Sequence, residues 1–155
     1  MVVNAEGELP LPWLAGPLAQ ALASPGHALL LHAPPGNGAL ELAATLAQAC
    51  LCESTEAGRP CGRCGSCRLV HSRLHPDLFV LLPQALRREH GWPLVDDKPD
   101  SDDSKRKPSR QIRIDEVRAL IDWSTKTSAR GRGKVALLHP AEALNPQAAN
   151  ALLKT

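Results

Sequence analysis

HALLLHAPPGNGALELAATLAQACL, residues 27–51, is the stretch whose reading decides the fold. Residues 27–32 form a brief Leu-rich run between Gly26 and Pro34-Pro35-Gly36, which predicts a strand buried on both faces. Residues 39–51 are rich in Ala and Leu, place Leu42 and Leu46 one turn apart and carry almost no charge, which predicts a largely buried helix. Strand, glycine turn and helix make half of a βαβ unit.

Working outward, residues 10–23 repeat apolar side chains at helical spacing (Trp13, Leu14, Leu18, Leu22) and close at Pro25-Gly26, so a short helix leads in. Downstream, DLFVLL at 77–82 and KVALL at 134–138 read as further strands, and residues 112–114 as a short extended piece. Asp115 is placed to cap a helix through Val117, Leu120 and Ile121, and Asn145-Pro146 to start another. The alternation predicts an α/β protein with a parallel sheet and helices on its faces. Three strands are fewer than such a sheet usually has, and the last helix reaches Thr155 with no capping residue, so the chain reads as a fragment lacking the rest of its sheet.

The 155 residues suffice for one domain. No apolar run approaches the roughly 18 residues of a membrane span, which excludes a transmembrane reading. Aromatic residues are 3%, with no Tyr and one Phe, so the core must come from Leu, Ala and Val, and a stacking platform for single-stranded nucleic acid is not expected. All 18 Lys and Arg lie from Arg59 onward, leaving residues 1–58 at −5 and the remainder at +7. With no basic stretch ahead of an apolar one there is no secretory signal, and the chain reads as cytoplasmic. Residues 84–110 bury little; the run VDDKPDSDDSKRKPSR within them predicts a disordered surface loop, its acidic part (96–103, −4) balancing its basic part (104–110, +4).

Four of the five cysteines, Cys52, Cys61, Cys64 and Cys67, fall within sixteen residues. The two Cys-x2-Cys spacings let tight turns aim sulfurs at one point, and the spacing predicts a closed tetrahedral Zn2+ site, in preference to an iron–sulfur cluster or free thiols. The module spans residues 50–68. Cys50 is expected to be a small core residue, and His71 and His75 surface residues, since four sulfurs complete the shell. Arg59, Arg63, Arg68 and Arg73 are expected to form a solvated face, with direct nucleic-acid binding by the module as the alternative.

The loop Ala33-Pro34-Pro35-Gly36-Asn37-Gly38 has the context of a phosphate-binding loop without its chemistry. Where a working loop has Lys and then Ser or Thr, this chain has Ala39 and Leu40, and Ala33 replaces the first glycine. The strand KVALL is followed by His139-Pro140 rather than by magnesium-holding carboxylates, with Glu142 beyond the proline. Productive ATP binding and catalysis are therefore not expected, an active ATPase with unusual ligands being the alternative.

On HALLLHAPPGNG, the inserted cysteine module, HPDLFVLLP, IDEVRAL and AANALLKT, the chain from about Trp13 to Thr155 resembles the delta-prime family of bacterial DNA polymerase III clamp-loader subunits, within the AAA+ superfamily. The resemblance implies a partial AAA+ domain over 1–155, with lid and collar domains and an arginine finger lying beyond Thr155. It implies a noncatalytic scaffold, or stator, working with gamma/tau and delta subunits. Primed DNA and the sliding clamp would be met through the assembled complex, with no membrane involved. The stretch 84–110 is longer than the family's usual connection.

Overall fold

A computed structural model describes residues 2–24, 26–54, 60–93 and 107–153. Among them lie α1 (Ala15–Ala23), α2 (Ala39–Leu51), α3 (Gly65–His71), β1 (Leu78–Leu81), α4 (Gln84–His90), α5 (Ile114–Ser124), β2 (Val135–Leu138) and α6 (Pro146–Leu152). No helix among the described residues is long and apolar enough to cross a membrane. The chain divides into two compact units, residues 1–79 with 128–137, and residues 80–127 with 138–155. β1 and β2 supply residues to both. They form one two-stranded sheet, and it is parallel: Val135 N–H donates to Asp77 O and His139 N–H to Leu81 O, the register advancing in the same direction on both strands.

In the first unit, a 3-10 turn at Pro12–Leu14 runs directly into α1, burying Leu14 and Leu18. Trp13, expected on the apolar face, is 62% exposed, because the tighter turn carries it off the line of Leu14 and Leu18. Gly38 caps α2 at φ +82°, a left-handed backbone that calls for glycine, and a Cβ there would also push the Leu11 side chain aside, its Cδ1 being 2.6 Å away. Positions 44–48 of α2 are all buried, as a helix so poor in charge demands. Among them Gln48 is fully buried and forms a two-way clasp with Val3: Val3 N–H donates to Gln48 Oε1 at 2.9 Å and Gln48 Nε2 donates to Val3 O at 3.1 Å. Residues 2–8 are thereby tied to the helix, a contact no sequence pattern announces.

The expected strand at 27–32 is not one. None of its residues is buried, and Leu30 is 86% exposed. A strand exists only through a ladder partner, and among the described residues the paired segments are β1 with β2 and the single bridge of Ile112 with Leu144, so the Leu-rich run belongs to no ladder. Among the described residues the sheet accordingly has two strands instead of three.

The second unit corrects the loop expected over 84–110. Gln84–His90 is helical, ending at Gly91 in the left-handed conformation. Residues 107–110 are held back against its start: Ala85 N–H donates to Ser109 O at 3.0 Å, and Ser109 N–H to Gln84 Oε1 at 3.1 Å. Most of VDDKPDSDDSKRKPSR lies outside the described residues. Arg87 of α4 is buried, donating from Nε to Leu82 O at 3.0 Å, from Nη1 to Pro93 O at 2.7 Å and from Nη2 to Val80 O, with Glu116 at 4.0 Å. It thereby occupies the edge of β1 that faces away from β2. The segment at 112–114 reduces to one parallel bridge, Ile112 with Leu144, and α5 begins at Ile114, before Asp115; Glu116 is the capping group, accepting from Arg113 N–H at 2.8 Å. α6 starts as expected: Asn145 Oδ1 accepts from Ala148 N–H at 2.7 Å with Pro146 in the first turn.

Candidate metal centre

Cys52 follows the last residue of α2; Cys61 and Cys64 flank the turn before α3, and Cys67 lies in its first turn. The turn depends on Gly62, at φ +70°, where a Cβ would fall 1.7 Å from Asn4 O; only a residue without a side chain lets residues 2–8 pack so closely. The four Sγ atoms lie within 4.8 Å of one another, with Cys52 to Cys64 at 4.0 Å and Cys61 to Cys67 at 3.9 Å. A metal bound tetrahedrally by four thiolates at about 2.3 Å sets its sulfurs about 3.8 Å apart, so the donor set and its spacing suit one such ion. Backbone N–H groups point at the sulfurs: Ser54 and Cys61 onto Cys52 at 3.4 Å, Cys64 onto Cys61 at 3.3 Å, and Cys67 onto Cys64 at 3.4 Å. These donors stabilise thiolate charge.

The electrostatics of the four are uneven. Burial raises the Cys67 thiol, and the sulfurs of Cys64 and Cys52 raise it further. Burial raises Cys52 as well. Burial opposes ionisation of Cys61 too, but the N–H groups of Cys64 and Arg63 outweigh it and bring the thiol down to about 7. Four sulfurs this close do not all ionise unless a cation neutralises them.

His75 is a correction to the sequence reading: it is buried, 4% exposed. Asp77 N–H donates to its Nδ1 at 3.0 Å, so the proton sits on Nε2, which meets Ser66 Oγ at 3.0 Å. Burial holds its pKa below the usual histidine value, in keeping with a neutral ring. No local sequence signal marks this burial: it comes from the pairing of His75 with Ser66, nine residues earlier at the start of α3, which spacing alone does not reveal. Cys50 is also corrected, being exposed where a core position was expected: it stands in the last turn of α2, where the helix is no longer covered on the side of Leu46 and Ala47 that is buried one turn earlier. His71, Arg63 and Arg68 are exposed, as expected, and Arg73 is half-buried. Arg59 lies outside the described residues.

At the glycine loop, Asn37 N–H closes a turn onto Pro34 O at 3.3 Å, Ala39 is half-buried and Leu40 is 5% exposed. Glu142 stands in a 3-10 turn, Ala141–Ala143, beyond the end of β2.

A parallel strand pair with six helices among the described residues, and a four-cysteine module between α2 and β1 in the chain, defines an α/β protein carrying a cysteine cluster that could hold a metal ion. The family model described as DNA polymerase III, delta subunit, matches residues 18–155, and the chain belongs to that family. It is 40% identical over 83% of its length to DNA polymerase III subunit delta' of Pseudomonas aeruginosa, 37% identical over 93% to that of Yersinia pestis, and 30% identical over 93% to that of Escherichia coli. It spans 33%, 37% and 38% of those three relatives, about a third of each.

Proposed function

We propose that this chain is part of a noncatalytic, stator-type subunit of the DNA polymerase III clamp loader, working in the cytoplasm with gamma/tau and delta subunits to help load the sliding clamp onto primed DNA. Kinship with the delta' subunits supports the assembly. The observation that carries the noncatalytic part is the start of α2. Ala39 and a buried Leu40 stand there in place of the Lys that reaches the β and γ phosphates and the hydroxyl that ligates magnesium. A triphosphate at Ala33, Gly36 and Gly38 would meet backbone dipoles alone, and Glu142 lies past the strand end where a magnesium ligand would be needed. The chain is thus read as a partial AAA+ domain whose loop binds no ATP productively.

Cys52, Cys61, Cys64 and Cys67 are proposed to hold one Zn2+, which would supply folding energy to the module and no chemistry, since four thiolates leave no position for water.

Two measurements test this reading. Co-purification with gamma/tau and delta should succeed, and its failure under conditions where those partners assemble would remove the stator assignment. ATP turnover should stay at background for the wild-type chain and for the double substitution A39K/L40T, because the carboxylate site after β2 is missing as well. Turnover by the wild-type chain would restore the active-ATPase reading.

A further inference from the structure

Glu53 and Ser66 sit immediately beside Cys52 and Cys67, on the two separate segments that bring sulfurs to the centre. They also bond to each other: Ser66 N–H donates to Glu53 Oε2 at 3.4 Å and Ser66 Oγ to Glu53 Oε1 at 3.2 Å. Arg130, far away in sequence, joins both. Its Nε donates to Glu53 Oε1 at 2.9 Å and to Ser66 Oγ at 3.1 Å, and its Nη2 donates to Glu53 as well. Arg132 Nη2 adds a bond to Glu53 O at 3.0 Å. The Ser66 hydroxyl is used to capacity, donating to Glu53 and accepting from Arg130 and from the Nε2–H of His75. A separate observation places the guanidinium against the ligand turn: a Cβ on Gly65, between Cys64 and Cys67, would stand 2.8 Å from Arg130 Nη2 and 3.3 Å from Glu53 Oε2. Arg130 itself is held by Asp77, which accepts its backbone N–H at 2.8 Å.

We propose that Arg130 is a positioning residue for the four-cysteine centre, holding the Cys52 segment and the Cys64–Cys67 segment in register through Glu53 and Ser66, so that the turn at 128–132 is fastened to the metal module. The proposal rests on the reading of the four cysteines as a metal site. A partly buried guanidinium that directs two N–H groups onto one carboxylate oxygen, Glu53 Oε1, fixes both direction and distance, which a single lysine charge would not. Partners of this kind beyond the ligands commonly change metal affinity by about 10–100-fold when removed.

The test loads the chain with zinc and follows its transfer to a chromogenic chelator at fixed pH. R130Q and E53Q should each speed release by about tenfold. The double variant should be no faster than the faster single one, because both substitutions break the same link. G65A keeps every polar group and should also accelerate release by displacing the guanidinium, so it carries the test if R130Q fails to fold. R68Q, on the exposed side of α3, should release at the wild-type rate. Wild-type chain that holds one zinc while R130Q, E53Q and G65A all release at its rate would overturn this proposal and leave the metal site standing. Wild-type chain that takes up no zinc would overturn the metal site itself.

Discussion

Asp77 accepts three hydrogen bonds from one turn: Ala129 N–H at 2.7 Å, Arg130 N–H at 2.8 Å and Ser128 Oγ at 2.9 Å. Burial pushes its carboxyl upward, but these donors, with the His75 ring beside it, prevail and hold the pKa below the usual aspartate value. A folded-state pKa below the unfolded one means stabilisation that is fully present above about pH 4 and disappears as pH falls through the lower, folded value. D77N removes the charge and turns an NH2 toward backbone donors, so it should cost about 2 kcal/mol at pH 7 in urea denaturation. The gap to wild type should narrow below about pH 4. A variant as stable as wild type at pH 7 would mean that the turn does not depend on the carboxylate. In sequence Asp77 was only the first letter of a strand; its role comes from residues more than fifty positions away, which no local pattern encodes.

At the scale of elements, helices were legible where the signal is local. α2 shows its burial in its composition, and α6 shows its start in Asn145-Pro146, because cap and first turn lie within four residues. The run at 27–32 departs from its strand pattern for the converse reason: a Leu-rich run reports hydrophobicity, while a strand needs a neighbour to accept its hydrogen bonds. Leu30, at 86% exposed, therefore contributes little to the folding of this chain. L30K should shift the unfolding free energy by no more than about 0.5 kcal/mol. A loss of several kcal/mol in chemical denaturation would show that the run is packed. α4 was hidden within the charge-rich stretch after Pro83, where Arg87 looks like one more surface cation. Its burial over the carbonyls of Val80 and Leu82 is decided by the strand it covers, and its desolvation is met by those acceptors and by Glu116.

For the whole molecule, the charge balance sets an expectation for nucleic acid. The net charge is +2, with the cations spread from Arg59 to Lys154 rather than gathered in one run, and affinity for a phosphate backbone follows the number of phosphates neutralised. Titration of labelled primed DNA at physiological salt should give a Kd no tighter than about 10⁻⁶ M, weakening further as salt rises. Submicromolar binding lost on R63Q/R68Q substitution would favour a cysteine module that reads DNA directly over a scaffold that meets it through partners.

The sequence by itself determined the α/β class, the helices after the glycine loop and at Asn145, and the four cysteines that converge on one point. All of these depend on residues close along the chain: a helical period, a cap, two Cys-x2-Cys turns. Only the tertiary structure decided that the Leu-rich run is unpaired, that His75 is buried, that Gln48 clasps Val3, and that Arg130 reaches the cysteine module through Glu53. Each of these is a hydrogen bond, or the lack of one, between segments distant in sequence. Such a bond is satisfied only when the backbone brings donor and acceptor within about 3 Å, a condition composition and spacing do not contain.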